Sequence, residues 1–131
     1  MSIPVDVAEL ARTLADFGAG YLLTVSPEGA VKAVTVEPVV DAGELLIPAA
    51  GRGTVANLAG NPRVTLVFPP GQPRGYTLLI DGTGVVIGDD VRVHPDSAVL
   101  HRPASHADGP PAPSGASAEP SGCGDDCRPA G

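Results

Sequence analysis

Leu45-Leu46-Ile47-Pro48-Ala49-Ala50-Gly51-Arg52-Gly53-Thr54-Val55-Ala56-Asn57-Leu58-Ala59-Gly60-Asn61-Pro62-Arg63-Val64-Thr65-Leu66-Val67-Phe68 reads as a buried strand, a small-residue turn with one arginine, a short helix, an Asn-Pro stop and a second strand. The turn carries the chemistry. Gly51 and Gly53 leave the backbone open to close approach, since glycine reaches angles closed to other residues. Arg52 adds a permanent cation able to pair with a phosphate through two parallel hydrogen bonds. Thr54 adds a hydroxyl where the helix starts, and the free N–H groups of a helix start attract anions. Together they form a candidate phosphate seat. The plainer reading is a turn with Gly53 or Thr54 as helix N-cap and Arg52 as a solvated charge.

Working outward, the 131 residues suit a single domain, and 43% apolar residues is ordinary for a globular protein. Aromatics make up 3% and there is no Trp, so the core has to be aliphatic. A formal net charge of −7 argues against a general nucleic-acid binder and against anionic membrane surfaces. Met1 to Asp6 shows no basic segment followed by an apolar run, and no apolar stretch is long enough to span a bilayer, so a cytoplasmic protein is expected.

Val5, Val7, Leu10, Ala11, Leu14 and Phe17 recur near helical spacing, with Pro4 suited to a first turn and Gly18 and Gly20 to a stop. Strands follow at 21–26 and 31–40, joined by Pro27-Glu28-Gly29, then at 44–47 after Asp41-Ala42-Gly43. A short helix at 55–59 leads to a strand at 64–68 and a Pro-rich loop at 69–75. Residues 76–81 and 83–87 read as two strands or one bent at Gly82 or Gly84, and 91–94 as a last strand. Several short strands and a small helix predict a compact antiparallel barrel. From Arg102 onward there is no Val, Leu, Ile or aromatic, so 1–101 is read as the domain and 102–131 as a Pro/Gly/Ser-rich tail, flexible or laid against it. About a hundred residues give a modest core, which dimerisation would support.

The run Leu23-Thr24-Val25-Ser26-Pro27-Glu28-Gly29 to Val39, the glycine-flanked turn, and Asn57-Leu58-Ala59-Gly60-Asn61-Pro62-Arg63-Val64 together resemble the FMN-binding split-barrel superfamily, the pyridoxamine 5′-phosphate oxidase-like proteins, over residues 4–94. The resemblance implies a mainly β fold, a six-stranded antiparallel split β-barrel with a few short helices, paired as a homodimer with a flavin-type cofactor held between subunits. It implies a phosphate grip at Arg52, Gly53 and Thr54, a strand beside the ring system at Val34, Thr35 and Val36, and a cleft wall at Pro48 and Ala49. Lys32 and Asn57 complete the implied cofactor-binding set. The cofactor it implies is FMN or F420, with haem as the alternative, and the partners it implies are a second subunit and a small-molecule substrate.

Two departures stand out. Thr54 occupies about the place where many relatives carry a basic residue, leaving Arg52 to supply the charge. The Trp-containing C-terminal signature of true pyridoxamine phosphate oxidases is missing, so that substrate is not assigned. In a flavoprotein oxidoreductase the cofactor carries the redox step and no catalytic side chain need be conspicuous. Tyr21, Tyr76 and Arg74 are further candidates to line the cleft or reach an anionic substrate. A non-catalytic flavin- or haem-binding module remains open, with His101 or His106 as an iron ligand. So does a metal or thiol sensor built on His94, His101, His106, Cys123 and Cys127, although the irregular histidine spacing and the three-residue gap between the cysteines match compact zinc motifs poorly.

Overall fold

The computed structural model describes residues 1–114. Eight strands and two short α-helices follow in the order β1 (Ser2–Val5), α1 (Leu10–Leu14), β2 (Gly20–Val25), β3 (Val31–Val36), β4 (Val39–Asp41), β5 (Glu44–Ile47), α2 (Arg52–Gly60), β6 (Arg63–Phe68), β7 (Thr77–Ile87) and β8 (Asp90–His101). All pairings are antiparallel, in the spatial order β3-β2-β6-β7-β8-β5-β4, with β1 added to β8. The two ends of this path, β3 and β4, are neighbours in the chain, joined through Glu37-Pro38, yet do not pair. That gap is the split of the barrel. All eight strands belong to one sheet, with the three-residue β4 at one end of the path and β1 pairing β8 off it.

Strand alternation builds the core. Leu22, Leu45, Ile47, Leu66, Phe68, Leu78, Ile80, Val91, Val93 and Leu100 are all less than 2% exposed, so the interior is almost wholly aliphatic. Phe68 meets the edge of Phe17 at a centroid distance of 6.4 Å. The opposite face of the same strands is less covered. Thr35, Tyr21, Val67, Leu79 and Val99 lie opposite one another in register across five strands, and Tyr21 and Val31 are 43% and 64% exposed. Farther along, Arg92 bridges Asp41 and Glu44, and its hydrogen bond to Glu44 holds that carboxyl below its ordinary pKa.

Four local expectations are corrected. The N-terminal helical spacing gives way to a strand at Ser2–Val5, because the far half of β8, from Ala98 to His101, offers an open edge that β1 pairs. The helix shrinks to Leu10–Leu14 behind a 3₁₀ turn whose Ala8 N–H donates to Asp6 Oδ1. The strand predicted over 31–40 breaks at Glu37-Pro38, where proline has no N–H for a ladder and the chain leaves β2 for β5. Helix α2 begins at Arg52 rather than Val55, with Gly51 at φ 96° before it. Strand β8 continues through Pro95 to His101, because a bulge leaves Asp96 without an opposite residue on β7 and admits a proline inside the sheet.

Beyond β8, Arg102 is 6% exposed and stacks on Tyr76, 4.1 Å from the ring centroid. Its guanidinium donates to the carbonyls of Arg74, Ala107 and Pro110 at 3.2, 3.2 and 2.8 Å, and Ser114 N–H donates to Asp16 Oδ2 at 2.8 Å. Residues 102–114 are therefore laid against the barrel by hydrogen bonds where apolar side chains are lacking. Cys123 and Cys127 lie outside the described residues. No helix among the described residues is long and apolar enough to cross a membrane.

Candidate functional site

The link from β5 to α2 is held in an unusual conformation from below. Ala49 sits at φ 50° and Gly51 at φ 96°, the former in the left-handed region that a side chain disfavours. The β7–β8 turn secures both ends of this kink: Ala49 N–H donates to Asp90 Oδ1 at 3.0 Å and Ala50 N–H to Asp89 O at 3.1 Å. The first helical bond of α2 runs from Val55 N–H to Gly51 O. The N–H groups of Arg52, Gly53 and Thr54 precede it, and no side chain caps them. They are the orphan donors of a helix start, where backbone dipoles favour an anion.

Lys32 reaches this helix start from β3. A Cβ built on Gly53 would lie 2.6 Å from Lys32 Cε and 3.1 Å from Nζ, so the missing side chain is the space the lysine stem occupies. Among the described residues, Arg12, Arg63 and Arg92 pair with carboxylates, and Arg74 and Arg102 donate to backbone carbonyls. Lys32 and Arg52 take part in no such contact, and both stand at the first turn of α2. Their juxtaposition at an uncapped helix start makes an electropositive corner in an acidic protein.

Two clefts meet beside that corner. One, of about 360 Å³, opens at the split of the barrel between Val34, Thr35, Val36 and Glu37 on the β3 side and Ile47, Pro48, Ala49 and Ala50 after β5. The other, of about 310 Å³, is lined by Ala49, Gly51, Arg52, Val55 and Asp89. Ala49 belongs to both, so they adjoin. Volumes of this size fall at the lower end of small-ligand sites.

The structure thus brings Val34, Thr35, Val36, Pro48 and Ala49 around one cleft, Arg52 into its neighbour, and Lys32 against Gly53 between β3 and α2. Two expected residues point elsewhere. Thr54 is fully buried with its hydroxyl unpartnered, and Asn57 donates through Nδ2 to the buried Thr24 Oγ1 at 3.0 Å, tying α2 to β2. Tyr21 lies on the outer sheet face, Tyr76 under Arg102, and Arg74 donates to Ser105 O; none lines either cleft. His94 faces Glu44, His101 contacts Ser2 and His106 ends a 3₁₀ turn; no group of three His, Cys, Asp or Glu fit to hold a metal occurs among the described residues. Sequence reading missed Glu37, Val55 and Asp89. Asp89 gives only a turn signal, and nothing local announces that the β7–β8 turn docks beneath the start of α2.

Comparison with known proteins agrees with this architecture. The family model described as pyridoxamine 5′-phosphate oxidase matches residues 7–113. An uncharacterised protein of Mycobacterium tuberculosis (strain CDC 1551 / Oshkosh) is 35% identical over 144 aligned positions, covering 94% of this chain and 92% of that one. Among solved structures, an FAD-binding protein from Mesorhizobium loti superposes with a TM-score of 0.60 at 14% identity, covering 78% of this chain and 99% of that one. A structure described as F420 reductase superposes with a TM-score of 0.53 at 18% identity, covering 70% and 93%. At these identities the structural likeness shows the fold alone.

Proposed function

The chain belongs to the pyridoxamine 5′-phosphate oxidase family, and on that premise we propose that it is a homodimeric flavoprotein oxidoreductase binding FMN or F420 through the phosphate. The observation that carries this reading is the pair of cations, Lys32 and Arg52, gathered at the uncapped start of α2 without an ion-pair partner among the described residues. A phosphate is the group those donors suit: two cations and a fan of backbone N–H groups address one tetrahedral anion. The split cleft beside it, lined by Val34, Thr35, Val36 and Glu37 on one side and Ile47, Pro48, Ala49 and Ala50 on the other, offers a slot of mixed polarity for a ring system.

When bound, the flavin ring supplies the hydride or electron transfer. The protein's own part is to anchor and orient. Arg52 and Lys32 fix the phosphate end, and the Asp90–Ala49 bond holds the kink between the two clefts in one conformation. Residues of β3 set the depth of the slot. The row Tyr21, Val67, Leu79 and Val99, exposed at Tyr21 and half-buried along the rest, supports the dimer, since a second copy would complete its burial.

Absorbance titrations of the full chain with FMN, F420 and haemin test the cofactor, and sedimentation equilibrium tests the dimer. Saturable flavin or deazaflavin binding by a species of twice the chain mass is expected. Haemin binding with neither flavin nor deazaflavin binding would overturn the reading, and a monomer at working concentration would remove the dimer. A sharper check uses Gly53→Ala. Alanine at this helical position favours α2 by up to about 1 kcal/mol, while its methyl takes the space of the Lys32 stem. Thermal stability should hold or rise while phosphate-dependent affinity falls about 3- to 10-fold, the scale of one displaced surface cation. Equal affinity in the two proteins would remove Lys32 from the site.

A further inference from the structure

A third cavity, of about 320 Å³, shares no lining residue with the two clefts. It opens where three segments meet: the turn after α1, the loop between β6 and β7, and the segment laid against the barrel beyond β8. Its shape depends on that last segment. Arg102 gathers the carbonyls of Ala107 and Pro110 around its guanidinium, and Arg74 donates to Ser105 O. Gly109 suits this arrangement because a Cβ there would strike Arg74 O and crowd the Arg102 guanidinium. Ser114 N–H then closes the wall by donating to Asp16 Oδ2 at 2.8 Å. The lining is poor in hydrogen-bond donors. Pro70, Pro110, Pro111 and Pro113 have no N–H. The N–H groups of Asp16, Phe17, Gly75 and Ser114 are engaged by Thr13 O, Leu14 O, Gln72 O and the Asp16 carboxylate. Eight of the twelve lining residues therefore offer a ligand no backbone donor. The one formal charge on the lining is Asp16, whose Oδ1 has no partner among the described residues.

We infer that this cavity is a binding site for a small organic cation, a primary ammonium carried on a short apolar stem. An ammonium brings three donors and no acceptor, the complement of a wall that holds a carboxylate and proline carbonyls. Its stem has Phe17 and the proline rings to lie against. An anion is poorly served there. Arg102 is not part of the lining, and its terminal nitrogens already donate to the carbonyls of Arg74, Ala107 and Pro110. A neutral molecule of the same shape gains the apolar contact and forgoes the charge. The volume lies at the lower end of small-ligand sites, which suits a compact guest rather than a cofactor. Asp16 is exposed, so its attraction is moderate and weakens as salt rises. The site stands independently of the phosphate seat at α2.

Nuclear magnetic resonance titrations of the full chain with benzylamine and with butylamine, both cationic at neutral pH, test this. Benzyl alcohol and benzoate serve as the neutral and anionic counterparts. Amide signals of Phe17, Gly71, Gln72 and Ala112 should move saturably with the amines. At low salt the amines should bind about fivefold more tightly than either counterpart, the scale of one exposed charge contact. Asp16→Asn keeps an acceptor for Ser114 N–H and should erase that preference. Gly109→Val, which displaces the wall, should weaken amine binding about threefold or more while signals of the buried strands stay in place. Failure of both amines to saturate the site overturns the inference. So does benzoate or benzyl alcohol binding as tightly as benzylamine, a preference that survives Asp16→Asn, or amine affinity indifferent to Gly109→Val.

Discussion

Arg52→Ala should lower the affinity of the full chain for FMN or F420 by about 10- to 100-fold, the cost of one charge-assisted, bidentate phosphate contact. The effect is expected to be large because little else can replace the residue. Lys32 brings a second charge but not the planar fork, and Thr54, the nearest hydroxyl in sequence, faces the buried side of α2. Among the described residues the Arg52 side chain makes no hydrogen bond or ion pair, so its loss should leave thermal unfolding nearly unchanged. Isothermal titration with the flavin and with its dephosphorylated form separates the cases. The dephosphorylated ligand should bind both proteins alike. A variant that binds the phosphorylated flavin as well as the native chain does would remove the seat from α2.

The second large effect concerns the barrel itself. Phe68→Ala should destabilise the fold by about 3–5 kcal/mol, the usual result of emptying a large buried aromatic site. Phe68 is 1% exposed, packs against Phe17 and fills the space left by Gly20, whose Cβ would lie 2.5 Å from the ring. With 3% aromatic residues in the chain, few neighbours are large enough to close the void. Urea unfolding followed by far-ultraviolet circular dichroism should show a lower midpoint with an unchanged slope. A loss below about 1 kcal/mol would mean that the strands around Phe68 collapse into the cavity.

Much of the barrel was legible because its strands are punctuated locally. Pro27-Glu28-Gly29, Asp41-Ala42-Gly43 and Gly60-Asn61-Pro62 mark turns that any reading of φ preferences finds, and β2, β5 and β6 fall where these signals place them. Errors arose where a distant partner decides. Pro4 and Val5, read as the start of a helix, instead end a strand because Ala98–His101 supplies an edge. Pro95 looks like a terminator and is absorbed by a bulge on a strand that runs on for six more residues. The same distinction divides the candidate site. Arg52 and Gly53 announce themselves in sequence, and the family resemblance added β3. Asp89 and Glu37 reach the clefts only through tertiary docking, which no local pattern encodes.

Strand β8 pairs with β7 along one edge and with both β5 and β1 along the other. On a ribosome, this makes the barrel a late product. The amino-terminal strand emerges first and has no partner until Ala98–His101 follows, nearly the whole described chain later. Until then β5 has only β4 beside it, and the kink that carries Ala49 lacks the Asp89–Asp90 turn that secures it. The β3-β2-β6-β7 part of the sheet can pair as it emerges, but closure of the barrel waits for β8, a long-range step of the kind that slows folding.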